Sequence, residues 1–169
     1  MDSAMGHYSE YMDRQLSFSA LSAERKNLLS NISRLRGGRD ILVYAADLDK
    51  GNAPIQINYD DILAIKDQLA NLSGSEVDLI LETPGGSGEV AEDIVRLIHG
   101  KYQEVGIIIP GWAKSAGTIM AMSATEILME PTSALGPIDA QITWQGKHFS
   151  ADALIEGLEK IKEETVRTG

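Results

Sequence analysis

Two strand-to-helix junctions, about 30 residues apart, limit the folds that are open to this chain. In the first, the apolar run Val77–Leu81 ends in a glycine-rich turn and is followed by helical spacing over residues 90–98. In the second, Val105–Ile109 leads through another turn into the helix-compatible segment Ile119–Ala124. Repeated strand, turn and helix units are typical of proteins with a parallel sheet. The sequence therefore predicts an α/β fold with mostly parallel strands.

The same alternation extends in both directions. Ile41–Ala46 is a near-continuous apolar run that indicates a buried strand, and residues 60–72 have helical spacing. After the second junction, residues 127–129 and 142–149 indicate short extended segments, and a helix is expected from Ser150 onward. At the other end, residues 20–35 have helical spacing that stops at Gly37-Gly38. We expect that this helix docks on the core of its own chain.

Composition excludes several classes of function. The chain has 169 residues, of which 43% are hydrophobic, so one globular domain is expected. A net charge of −10 argues against nucleic acid as a partner, because phosphates require a basic face. There is no cysteine and only three scattered histidines, so we expect neither a metal nor any other cofactor. No apolar run is long enough to span a bilayer, membrane association is not indicated, and we expect a cytoplasmic protein.

Ser115 lies in the second junction between the small residues Ala113, Ala116 and Gly117. A serine at this position can project its hydroxyl into a cleft, and the first N–H groups of the following helix have no partner within the helix. They could bind a developing oxyanion. The alternative is that Ser115 caps the helix, which is a common role for serine. Trp112, three residues earlier, is interpreted as a core residue, with an apolar substrate pocket as the alternative.

The motifs at these junctions resemble a known group of enzymes. Thr83-Pro84-Gly85-Gly86, then the segment 111–118, then the proline-rich segment 131–138 occur in the order found in the Clp-protease/crotonase superfamily of serine peptidases. The resemblance is closest to the serine dehydrogenase proteinase family and the signal-peptide-peptidase-A-type enzymes. It covers residues 40–140 and implies the Clp/crotonase-like repeated β-β-α superhelix, with an N-terminal arm and helix over 1–38 and a catalytic domain over 39–169.

The resemblance also implies roles for individual residues. Ser115 corresponds to the acylated nucleophile, and the backbone N–H groups of Gly86 and Ala116 correspond to the oxyanion hole. Clp-type enzymes place a histidine where this chain has Ile138, so a histidine triad is not supported. Signal-peptide-peptidase-A-type enzymes use a lysine as the base, which requires burial that lowers the pKa of the amine. Lys147 has the most compatible position, although an ordinary exposed turn lysine is the alternative reading.

Other candidates for the base are weaker. His148 is a secondary candidate, and Lys114 precedes the serine but is expected to point away from it. His99 closes the helix of the first junction, where a cation complements the helix dipole, so we assign it to capping.

The expected function is therefore that of an ATP-independent serine endopeptidase of the Ser-Lys type that acts on peptide or protein substrates. A crotonase-like acyl-CoA enzyme and a non-catalytic oligomeric module of the same fold are the alternatives. Related enzymes form oligomers, which implies that this chain associates with copies of itself. They also usually continue further, so we expect a chain cut short at its C-terminus or a short relative.

Overall fold

The alternation of strands and helices is present over the described part of the chain. The computed structural model describes residues 14, 16–50, 52–138, 141–144 and 147–168, and only the backbone of 141–144, 147–149, 152–154 and 168. The helices are α1 (Phe18–Leu35), α2 (Asp61–Ala70), α3 (Gly88–His99), α4 (Ala116–Met122) and α5 (Ala151–Thr168). The strands are β1 (Asp40–Ala45), β2 (Glu76–Glu82), β3 (Glu104–Ile109), β4 (Trp112–Ala113), β5 (Glu126–Met129), β6 (Ala134–Leu135), β7 (Gln141–Trp144) and β8 (Lys147–Ser150).

The main sheet has the strand order β1-β2-β3-β5, and every neighbouring pair is parallel. The strands are in register, so that Leu42 lies opposite Leu79 and Leu79 lies opposite Ile107. Parallel strands of this kind are buried on at least one face and are rich in branched aliphatic residues. The prediction of an α/β fold with a mostly parallel sheet is confirmed.

A second, smaller layer lies beyond the carboxyl ends of these strands. β4 and β6 pair in parallel, and isolated parallel bridges join Ile57 to Gly86 and Thr83 to Ala113. A main strand is thus followed by a short extended segment in the second layer and then by a helix, as in β3-β4-α4. This is the repeated β-β-α unit of the Clp/crotonase-like fold. It brings the turns that follow β2, β3 and β5 together at one edge.

The hydrophobic core lies between the main sheet and helices α2, α3 and α4. In α3, Val90, Ala91, Ile94 and Ile98 are buried on one face, and the Ser87 hydroxyl caps the helix by accepting from the Val90 N–H. By contrast, α1 has no fully buried residue, and several of its apolar side chains are exposed: Phe18 by 83%, Leu35 by 82%, Leu21 by 44% and Leu28 by 45%. Leu29 and Ile32 are partly buried and the helix contacts β1, so α1 lies on the sheet of its own chain while part of its apolar face stays uncovered.

Two arginines that follow α1 connect the end of that helix to strands β2 and β5 of the sheet. The fully buried Asp78 carboxylate accepts a hydrogen bond from Arg36 Nε at 2.6 Å, and Arg39 Nε lies 2.7 Å from its other oxygen. Arg36 also pairs with Glu126 on β5. The bonds to Asp78 and then Glu126 raise the pKa of Arg36 above its usual value. Gly106 leaves room for this cluster, because a Cβ there would lie 2.2 Å from Asp78 Oδ1.

The outer edge of β1 is closed by a side chain. The Gln68 amide donates to the Val43 carbonyl at 3.0 Å and accepts from the Val43 N–H at 3.1 Å. It thus replaces the hydrogen bonds that another strand would make, which protects an otherwise open edge. After the main sheet, β7 and β8 form an antiparallel hairpin that leads into α5. Among the described residues, no helix combines the length and the apolar character that a membrane span requires.

Candidate active site

Ser115 has an unusual backbone conformation. It lies between β4 and α4 with φ 49° and ψ −119°, and among the described residues it is the only non-glycine with a positive φ. Such a conformation costs about 1–3 kcal/mol and persists only where the surroundings enforce it. The Ser115 side chain makes no capping hydrogen bond to α4 and is partly exposed. The hydroxyl is therefore available for chemistry, and the capping interpretation does not describe its geometry.

Hydrogen bonds on both sides fix the Ser115 backbone. Its N–H donates to the Pro137 carbonyl at 3.1 Å, in the loop after β6. Its carbonyl accepts from Thr118 N at 2.9 Å and Ile119 N at 3.3 Å, in the first turn of α4. The serine is thus held between a loop and a helix, which is the arrangement that projects a nucleophile at a strand-to-helix turn.

The Gly85-Gly86 turn packs directly against Ser115. Gly85 has φ 100°, and a Cβ on it would lie 2.7 Å from the Ser115 Cβ and 2.8 Å from the Lys114 carbonyl oxygen. Gly86 has φ 150°, and its Cβ would lie 2.4 Å from the Ile57 nitrogen. Both positions therefore require glycine for their conformation and for the close approach of neighbouring backbone. The two sequence junctions meet in space, as expected for adjacent parallel strands.

Two backbone amides beside the serine have no hydrogen-bond partner among the described residues. Within the part of the chain that the structure describes, neither the Gly86 N–H nor the Ala116 N–H donates a hydrogen bond. Gly86 is exposed, whereas Ala116 is buried at the start of α4. A Cβ on Gly85, the residue before Gly86, would lie 3.4 Å from the Ala116 nitrogen, so the two loops are in close contact. Free amides next to a serine hydroxyl are the donors that an oxyanion requires.

Thr83 connects the two loops through hydrogen bonds, a role that the sequence patterns did not predict. Its side chain is fully buried, and its hydroxyl accepts from the Gly85 N–H at 3.1 Å. Its N–H donates to the Trp112 carbonyl at 2.8 Å, and its carbonyl accepts from the Lys114 N–H at 3.1 Å. The available signal was a polar β-branched residue at the carboxyl end of an apolar strand, directly before Pro84.

The candidates for the general base lie in different parts of the fold. Lys147 is the first residue of β8, opposite Trp144 in the hairpin, but its side chain and that of His148 lie outside the described residues. Lys114 directs its Nζ toward the carbonyl of Leu135, the last residue of β6, at 3.5 Å. His99 ends α3, and its Nε2 lies 3.1 Å from the Ser123 carbonyl, which agrees with a structural role.

Apolar side chains lie exposed near the serine. Trp112 is 51% exposed, so the expectation that it is a core residue is wrong. Ile138, which follows the proline that holds Ser115, is 53% exposed. The cavity of about 350 Å³ at the β1 edge, beside Tyr44 and Pro54, is a separate feature that Ser115 does not line. Among the described residues, no group of histidine and carboxylate side chains could hold a metal ion.

The chain is similar in sequence and in fold to known proteins. Two uncharacterised proteins of Methanocaldococcus jannaschii, MJ1495 and MJ0137, are 33% and 32% identical over 90 and 84 residues. These matches cover 53% and 50% of this chain, but only 31% and 28% of the relatives' own lengths. A solved structure of 1510-N membrane-bound stomatin-specific protease, a serine-to-alanine variant, has a TM-score of 0.50 at 21% identity, covering 71% of this chain and 58% of that one.

The fold and the paired junctions define a ClpP-like protein. The profile of the family described as ClpP-like SDH-type serine proteinase matches residues 11–168, which is nearly the whole sequence. The chain belongs to this family. The resemblance that the sequence motifs suggested is thereby confirmed.

Proposed function

We propose that this chain hydrolyses peptide bonds, with Ser115 as the nucleophile and the Gly86 and Ala116 N–H groups as the oxyanion hole. The observation that carries the proposal is the strained Ser115 backbone, which presents a hydroxyl that makes no capping bond, beside two amides that have no partner among the described residues. A strained residue at a turn is maintained when function uses it. Membership in a serine proteinase family supports the same reaction class.

In the proposed reaction, the Ser115 oxygen attacks the carbonyl carbon of the substrate peptide. A bond forms from this oxygen to the carbon, and the electron pair of the C=O bond moves to the carbonyl oxygen, which accepts from the Gly86 and Ala116 amides. The C–N bond then breaks, and the leaving amine takes up the proton that the serine lost. A water molecule hydrolyses the resulting ester by the same steps. Preorganised donors of this kind contribute about 10²–10³ in rate each.

We assign the general base to Lys147. A serine hydroxyl needs a base within hydrogen-bond reach, and a lysine can serve when its surroundings favour the neutral amine. Among the other candidates, the Lys114 amine is directed at a carbonyl and His99 lies against the end of α4. The assignment of Lys147 rests on the resemblance to Ser-Lys peptidases. It is therefore the part of the proposal that most needs a direct test.

Covalent labelling tests the nucleophile. A fluorophosphonate should modify the wild-type protein at Ser115, as mapped by mass spectrometry, and should not modify Ser115→Ala. Gly86→Ala should reduce the labelling rate by roughly 10-fold or more, because its Cβ displaces the oxyanion donor. Gly88→Ala is the matched control, since a Cβ there meets no atom within 4 Å. Equal labelling of wild type and Ser115→Ala would disprove the assignment.

The base is tested by pH dependence and substitution. If Lys147 accepts the proton, the labelling rate should rise with pH as its amine becomes neutral, and both Lys147→Ala and Lys147→Arg should lose it, because arginine stays protonated. Lys162→Ala, an exposed change on α5, is the control. Circular dichroism confirms that each variant is folded. Wild-type rates in folded Lys147→Ala would redirect the search to His148.

We also propose that copies of this chain associate through apolar surface. On α1, Phe18 and Leu35 are 83% and 82% exposed, and on α5, Leu158 and Val166 are 67% and 80% exposed. Apolar helix faces of this extent are typical of surfaces that another chain covers. Sedimentation at tens of micromolar should show an oligomer that is weakened by Leu35→Glu; a monomer would contradict this part of the proposal.

A further inference from the structure

Thr118 carries a buried hydroxyl that the proposed reaction does not use. It is the third residue of α4 and is 7% exposed. Its Oγ1 donates to the Ala113 carbonyl at 2.7 Å and accepts from the Gly136 N–H at 2.7 Å. A threonine in a helix usually bonds to a carbonyl of its own preceding turn. Here the hydroxyl instead connects the end of β4 with the residue that follows β6.

This hydroxyl interrupts a regular ladder. In the parallel pair of β4 and β6, the Ala134 N–H donates to the Gly111 carbonyl at 2.8 Å. Two residues further along each strand, the next bond would run from the Gly136 N–H to the Ala113 carbonyl. The Thr118 oxygen lies between these two groups and bonds to both. The strands are thus held one hydroxyl group further apart at the point where the ladder ends.

The spacing matters because Ser115 depends on the same loop. One residue after Gly136, the Pro137 carbonyl accepts the Ser115 N–H at 3.1 Å. The position of that carbonyl orients the peptide unit before Ser115, and the Ser115 carbonyl in turn accepts from the Thr118 N–H. Thr118 therefore touches Ser115 through its amide and the Pro137 loop through its hydroxyl. Both contacts act on the residue that has the strained backbone.

We propose that Thr118 is a positioning residue that sets the orientation of Ser115 and of the adjacent Ala116 amide. The inference rests on the proposed function of Ser115 and assigns Thr118 no contact with the substrate. Without the hydroxyl, the Gly136 N–H and the Ala113 carbonyl either bond directly, which moves the loop, or lose their partner. Displacement of a reacting group by about 1 Å can cost roughly 100-fold in rate.

Two variants separate the hydroxyl from the shape of the side chain. Thr118→Ser keeps the hydroxyl, whereas Thr118→Val keeps the shape and removes it. Thr118→Val should label with fluorophosphonate roughly 10- to 100-fold more slowly than wild type, and Thr118→Ser should restore most of the rate. Amide hydrogen exchange measured by NMR should show faster exchange at Gly136 and Ser115 in Thr118→Val only. If Thr118→Val does not fold, Thr118→Ala, which places no methyl between the strands, replaces it.

Folded Thr118→Val that labels at the wild-type rate would overturn the inference, and so would equal losses in Thr118→Ser and Thr118→Val. The exchange measurement needs no substrate, so it distinguishes this inference from the proposed function. Absence of labelling in wild type would count against Ser115 as the nucleophile. In that case, unchanged exchange at Ser115 in Thr118→Val would refute the positioning role, and faster exchange would support it.

Discussion

Gly117→Ala tests how closely the loop that carries Ser115 packs against the loop that carries Thr83. Gly117 is the second residue of α4 and has an ordinary helical conformation, so alanine should favour the helix by about 1 kcal/mol. However, its Cβ would lie 2.4 Å from Thr83 Cγ2, far inside contact distance. The Thr83 side chain is fully buried, and rotation would remove its hydroxyl from the Gly85 N–H.

The expected magnitude follows from these two opposing effects. Overpacking a buried site costs about 1–3 kcal/mol, so after the helix gain of about 1 kcal/mol Gly117→Ala should lower the free energy of unfolding by about 0–2 kcal/mol net. Thr83→Ser removes the methyl group that clashes and keeps the hydroxyl, at a cost of about 1 kcal/mol. In that background the nearest atoms to the new Cβ are Ala113 Cβ at 3.5 Å and the residue 83 Cβ at 3.8 Å, which are ordinary contact distances. Gly117→Ala should then be neutral or stabilising.

Urea unfolding of the four proteins in this cycle measures the coupling. Tryptophan fluorescence and circular dichroism should give coincident transitions if unfolding is two-state. We expect a coupling free energy of about 2 kcal/mol between positions 83 and 117. The rate of fluorophosphonate labelling should be lower in Gly117→Ala, because the Thr83 side chain is displaced, and should recover in the double variant. Effects that add within about 0.5 kcal/mol would refute the steric argument, because independent sites are additive to that degree.

Three further changes test other parts of the structure. Gly106→Ala should lower the free energy of unfolding in urea by roughly 3 kcal/mol, because its Cβ displaces the buried Asp78 carboxylate from its arginines. Burial, and then the hydrogen bond to Asp40, raise the pKa of Tyr102 above that of tyrosine in the unfolded chain. The stability that comes from this difference should therefore be complete below about pH 10 and be lost as the pH rises above it. The free energy of unfolding of Tyr102→Phe should depend less on alkaline pH than that of wild type. Gln68→Leu should cost about 1–2 kcal/mol in urea unfolding and increase self-association in sedimentation, because it opens the β1 edge.

Periodicity and turn chemistry predicted most of the fold. The strands Val77–Leu81 and Val105–Ile109 are observed within one residue of these bounds at either end, because buried parallel strands give continuous apolar runs. The approach of the Gly85-Gly86 turn to Ser115 was also predictable, because both turns follow parallel strands of one sheet. Periodicity alone places the start of α4 at Ile119, three residues late, since the small residues before Ile119 give no helical pattern and the helix begins at Ala116, directly after Ser115.

The second layer was beyond a reading of the sequence. β4 and β6 have two residues each, which is too short for any period, and their pairing joins segments about 20 residues apart. The roles of Thr83 and Thr118 depend on this layer, so neither was assigned. Exposure was also not predictable from apolar character. Trp112 is half exposed and Met122 is 68% exposed. Periodicity predicts which face of an element is apolar, but it does not predict whether another element covers that face.

The small layer also explains how the chain can maintain a strained serine. Each turn at this edge comes from a different main strand, and the hydrogen bonds of the second layer connect them: Thr83 to Trp112 and Lys114, and Ser115 to Pro137. These bonds use the inward-facing amides and carbonyls of the short segments. The Gly86 and Ala116 amides do not take part in these bonds. Gly86 has a neighbouring extended segment, at Ile57, on one side only, and Ala116 is the first residue of a helix, whose N–H has no partner within the helix. Within the described part of the chain, the same pairing that enforces the Ser115 conformation therefore leaves two donors unpaired beside that residue.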